Sequence, residues 1–74
     1  MQITFTFVKG ANRDLAKQAR SILNIIEAKG EISKSDLLDQ IGLDVKSKQK
    51  AERLLSYYKG QLITGGFIEE RKHG

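Results

Sequence analysis

Lys46, Gln49, Lys50, Arg53, Ser56 and Tyr57 are spaced so that a helix turning about 100° per residue places them on one side. That side carries no carboxylate. The cations can neutralise phosphates, and the Arg53 guanidinium and the Gln49 amide can each make paired hydrogen bonds to a base edge, arginine to guanine and glutamine to adenine. Tyr57 adds a hydroxyl donor for phosphate oxygens. Lys46 to Lys59 holds five basic residues against the single acid Glu52, while the rest of the chain balances eight basic against eight acidic groups, so the whole formal net charge of +4 resides in this segment. Ala51, Leu54, Leu55 and Tyr58 take the opposite side of the same helix. An apolar back and a front of Lys, Arg, Gln, Ser and Tyr suit a helix that meets DNA. The alternative use of the same charges is a solvated face that keeps the protein soluble.

Other chemistry is sparse. The chain has no cysteine, which excludes disulfides, thiolate metal sites and a thiol nucleophile. His73, the single histidine, lies at the end of the chain, away from any evident catalytic or metal-binding partner. Glu69 and Glu70 would point to opposite faces of a strand, and Asp36 and Asp39 are accounted for by helix capping, so neither pair is a convincing cation site. Gly65 and Gly66 are followed by no lysine and hydroxyl of a phosphate-cradling loop and read as turn residues. A non-enzymatic protein without metal or cofactor is expected.

The elements that must position the basic face follow from periodicity. Residues 2–8 (QITFTFV) alternate Ile3, Phe5 and Phe7 with Thr4, Thr6 and Val8, the pattern of a strand with one buried face. A first helix is expected from an Asn12 cap, with Leu15, Ala19, Ile22 and Ile26 as its apolar stripe and Gly30 as its left-handed end. Ile32 occupies a short extended link. Ser33-Lys34-Ser35-Asp36 has capping-box spacing and opens a second helix with Leu37, Leu38 and Ile41 inward, closed by Gly42-Leu43. Asp44 or Ser47 caps the third helix, which is expected to run past Gly60 because Leu62 continues the stripe of Ala51, Leu55 and Tyr58. Tyr58 is read as a core aromatic with its hydroxyl at the edge. Residues 67–71 (FIEER) read as a last strand and Lys72-His73-Gly74 as a frayed end.

With 74 residues, no proline and no internal repeat, residues 1–74 are expected to form one small domain for which dimerisation would add stability. No apolar run approaches the ~18 residues of a membrane span, and no secretory pattern opens the chain, so a cytoplasmic protein is expected. The sequence pI of about 9.6 favours polyanion partners.

Residues 22–30 (ILNIIEAKG), 32–42 (ISKSDLLDQIG) and 65–70 (GGFIEE), taken in order, resemble the first helix, the helix-turn unit and the exit into the wing of the winged helix-turn-helix family. The resemblance implies an α+β, winged-helix-like three-helix domain that binds double-stranded DNA through its third helix, as a small transcriptional regulator or accessory DNA-binding protein, with a homodimer supplying two half-sites. Ser33, Lys34 and Ser35 at the start of the second helix offer amide and hydroxyl groups to a phosphate, with helix capping as their alternative use, and Arg71, Lys72 and His73 at the wing position offer contacts to phosphates or the minor groove, with a solvated tail as the alternative. The sequence departs from the family in a longer stretch between Gly42 and Gly66 and in the few residues after Ile68. The small antiparallel sheet would then be formed by the N-terminal strand and a truncated wing strand, or that strand would pair with a second copy. The rival class is a winged-helix protein-interaction module, docking a partner on an exposed edge of residues 2–8 or on the Tyr57 side of the third helix. RNA binding lacks the usual aromatic stacking platform.

Overall fold

Phe5 is completely buried at the middle of the central strand, and the other elements assemble around it. The computed structural model describes residues 2–73, in the order β1 (Gln2–Phe7), α1 (Lys17–Lys29), β2 (Glu31–Ser33), α2 (Lys34–Val45), α3 (Lys48–Thr64) and β3 (Ile68–His73). The sheet order is β2-β1-β3, antiparallel throughout. Thr4–Thr6 pair with Ser33–Glu31, and Gln2–Phe7 pair with His73–Ile68 along the full length of both strands. This is a three-helix α+β fold with a small antiparallel sheet, compatible with a winged-helix-like arrangement.

The N-terminal strand pairs within the chain and flanks the truncated wing strand, as one of the two expected pairings required. Ile32, expected in a link, belongs to a short third strand instead. β1 is therefore flanked on both sides, along its full length by β3 and at Thr4–Thr6 by β2, so most of the edge expected to be exposed over residues 2–8 is occupied within the chain. Lys72 and His73 are not frayed but lie in β3, where the Thr4 hydroxyl and His73 Nε2 share a hydrogen bond of 2.9 Å.

Because side chains alternate along a strand, Ile3, Phe5 and Phe7 share the helix-covered face with Ile32 and Ile68. Ile22, Leu23 and Ile26 of α1, Leu37 and Ile41 of α2, and Ala51, Leu55 and Leu62 of α3 complete the core. Ser33 caps α2 by accepting from Asp36 N (3.1 Å), and Ser47 caps α3 by accepting from Lys50 N (3.3 Å). Gly30 ends α1 at φ 75°, its N–H donating to the Ile26 carbonyl.

Two helix boundaries differ from expectation. Asn12 does not cap α1: its side chain accepts from Asp14 N (3.1 Å) in a local turn, Ala16 is extended (φ −58°, ψ 152°), and the helix begins at Lys17. Leu15 packs on the core from that loop. α2 does not stop at Gly42; it continues to Val45 and leaves Leu43 73% exposed. Gly42 is a contact position in the helix, where an added Cβ would sit 4.0 Å from the Ala51 Cβ of α3. The break comes at Lys46, the one non-glycine residue at positive φ among those described (57°), and α3 then runs through Gly60 to Thr64 as expected.

Candidate nucleic-acid interface

The back of α3 is held by Ala51, Leu55 and Leu62, each at most 2% exposed, so its front is fixed relative to the domain. Gln49, Lys50, Arg53, Ser56 and Tyr57 are all exposed. Lys46 is exposed too, but it lies in the left-handed turn before α3 and not on the helical face, because Ser47 takes the cap position. Leu54 and Tyr58, expected on the buried side, are half-buried at its margin, where Tyr58 OH donates to Gln18 Oε1 of α1 at 3.5 Å. The Tyr57 ring is 67% exposed and meets Tyr58 edge-on, with centroids 4.7 Å apart and planes at 78°.

One of the segment's five cations is spent inside the molecule. Lys59 Nζ lies 3.4 Å from Glu70 Oε2, a solvent-shielded oxygen on the helix-covered face of β3. The contact has ion-pair distance without hydrogen-bond geometry. Lys46, Lys48, Lys50 and Arg53 form no ion pair among the described residues.

The start of α2 faces the start of α3 across a cleft of about 440 Å³, lined by Ser33, Lys34, Ser35, Asp39, Lys48 and Glu52 with Ile3 at its floor. Lys34 is half-buried and Ser35 exposed. Ser33 is committed to its cap, so its hydroxyl oxygen already has an N–H partner. Sequence reasoning passed over Lys48 and Glu52. The signal was their four-residue separation, which sets both on one flank of α3, between the outward face and the buried stripe.

The wing-position residues do not act as one basic tail. Arg71 lies opposite Thr4 on the sheet face turned away from the helices, beside Glu69 (3.9 Å), and His73 is on that face as well. Lys72 lies opposite Ile3 on the helix side of the sheet and is exposed. The structure thus brings together the starts of α2 and α3, and places Lys72 on the opposite face of the sheet from Arg71 and His73.

Among the described residues no group of carboxylates, histidines or cysteines is disposed to hold a metal ion, and no helix is long and apolar enough to cross a membrane. Comparison with protein-family models, curated proteins and solved structures yields no significant match.

Proposed function

We propose that this chain is a cytoplasmic DNA-binding protein that places the exposed face of α3 in the major groove of a duplex and acts by binding alone, without a cofactor. The observation that carries the proposal is the disposition of Gln49, Lys50, Arg53, Ser56 and Tyr57, exposed together on a helix whose opposite side is locked into the core. A 17-residue helix is about 25 Å long, enough to follow the groove, and its positive front supplies the phosphate attraction on which affinity rests. Lys34 and Lys48, which line the cleft, extend that attraction towards the start of α2. Transcriptional regulation or an accessory role on DNA is the process such a module serves, and a two-fold dimer would present two α3 helices to successive major grooves.

The interaction-module reading loses most of the β1 edge to pairing within the chain, while Thr4, Thr6 and the exposed Val8 keep the sheet face turned away from the helices. Its second surface, the Tyr57 side of α3, is the one assigned here to DNA.

Fluorescence anisotropy of a labelled random-sequence duplex of about 30 base pairs, titrated at two salt concentrations, tests the proposal. Salt-sensitive binding is expected, with Lys50→Ala and Arg53→Ala each reducing affinity and lowering the logarithmic salt slope by roughly 0.9 for each phosphate no longer neutralised. An unchanged slope in both variants removes this face from DNA binding. Size-exclusion chromatography of the same sample reads the dimer.

A further inference from the structure

Glu52 is the single acid of α3, and among the described residues it forms no ion pair and caps no helix. It is exposed and caps nothing; the cap hydrogen bond of α3 runs from Lys50 N to Ser47. It lies beyond the first helical turn, where the helix dipole favours a carboxylate little. The ion pairs among the described residues are Lys59–Glu70 and Arg71–Glu69; Lys48, one turn before Glu52, does not reach it. Glu52 nevertheless borders the outward face. At about 100° per residue, Glu52, Ser56, Gln49, Arg53 and Tyr57 follow one another around the helix within an arc of about 140°. On its other side Glu52 looks into the cleft with Lys34, Ser35 and Lys48.

A carboxylate in this place repels every phosphate that α3 approaches, and so lowers affinity for all sequences alike. What it can accept from a duplex is an amino proton of a base. In the major groove guanine presents only acceptors and thymine an acceptor and a methyl group. Adenine sets its N6 donor beside the N7 acceptor, which would face the second carboxylate oxygen. Cytosine alone presents the N4 donor with no acceptor next to it on the same base. We infer that Glu52 is a specificity-determining residue that accepts a hydrogen bond from cytosine N4, and that selects by rejecting the other bases as much as by attracting this one. The inference rests on the DNA-binding reading and deepens it, giving α3 an acidic reader beside Gln49 and Arg53.

Selection from a duplex library with a randomised core, followed by sequencing of the bound fraction, tests it with the wild type, Glu52→Gln and Glu52→Ala. The wild type is expected to enrich cytosine at one position per site, with a single change there weakening binding about tenfold. Glu52→Ala should flatten that position alone and raise affinity for random duplex. Glu52→Gln should flatten it or turn it to adenine, the base suited to an amide. Unaltered preferences in both variants, with affinity raised by the same factor on every sequence, would overturn the assignment and leave Glu52 an electrostatic brake. So would a wild type that binds duplex in a salt-sensitive way but enriches no cytosine, an outcome that leaves DNA binding standing. Absence of duplex binding at both salt concentrations sinks the two proposals together. Circular dichroism of the variants guards against misfolding, which an exposed and unpaired side chain gives no reason to expect.

Discussion

At the scale of single residues, two glycines five positions apart carry opposite consequences. An added Cβ at Gly65 would stand 2.6 Å from Phe67 Cε2 and 3.1 Å from the Gln61 carbonyl oxygen. Phe67 is 6% exposed, and its N–H is tied to the Leu62 carbonyl, so the ring has little freedom to withdraw. Gly65→Ala is expected to destabilise the protein by about 1–3 kcal/mol, read as a lower denaturant midpoint at unchanged slope. At Gly60, by contrast, the added atom would meet nothing within 4 Å. The residue is exposed inside α3, so Gly60→Ala should raise stability by about 1 kcal/mol through helix propensity alone. The same measurement distinguishes the two, and an equal loss at both sites would mean that Gly60 is held by packing this structure does not contain. On the DNA-binding reading, Glu52 stands out at this scale for the reverse reason: it is a charge with no partner, on the helix that most needs positive charge.

At the scale of elements, local signals were legible where the competing local structure was weak. Ser33 and Ser47 each sit three residues before the amide they cap, and Asp44, the other candidate for the α3 cap, lies inside α2. Removing the α3 cap by Ser47→Ala should cost about 1 kcal/mol in thermal or chemical unfolding and fray the turn that carries Gln49 and Lys50. Asn12 was misleading because asparagine closes a turn on its own neighbour as readily as it caps a helix, and here the Asp14 N–H takes the oxygen. Gly42 looked like a helix end, but its contact with Ala51 across the α2–α3 crossing is a tertiary matter. The last strand separates two adjacent cations that read alike in sequence. Lys72 shares the helix-side face with Ile3, and Arg71 is turned away beside Glu69. With DNA as the partner, Lys72→Ala should lower the salt slope of binding, whereas Arg71→Ala should leave it within error; equal effects would place DNA against the outer face of the sheet.

At the scale of the whole molecule, β1 is the organising element, since it pairs with both other strands and carries Phe5 beneath the helices. A domain of 74 residues has only a few kcal/mol to lose, and truncating a buried phenylalanine costs about 3–5 kcal/mol. Phe5→Ala should therefore abolish the cooperative unfolding transition at 25 °C, and a variant that still melts cooperatively near the wild-type temperature would contradict this account of the core. Because β1 and β3 pair from Gln2–His73 to Phe7–Ile68, the first strand and the last strand stand side by side in the sheet. The sequence by itself determined the α+β class, a strand over residues 2–8 that in fact ends at Phe7, the Ser33 cap, the passage of α3 through Gly60 and the basic front of that helix, with Asp44 and Ser47 left as alternative caps of α3. These depend on hydrophobic period and on hydrogen bonds between residues a few positions apart. Only the tertiary structure decided that β1 pairs within the chain on both edges, that Lys59 is spent on Glu70, that Arg71 and Lys72 face opposite ways, and that Glu52 shares a cleft with the start of α2. Those outcomes depend on strand register and helix crossing, where residues far apart in sequence compete for the same partners, and no local pattern records which pair wins.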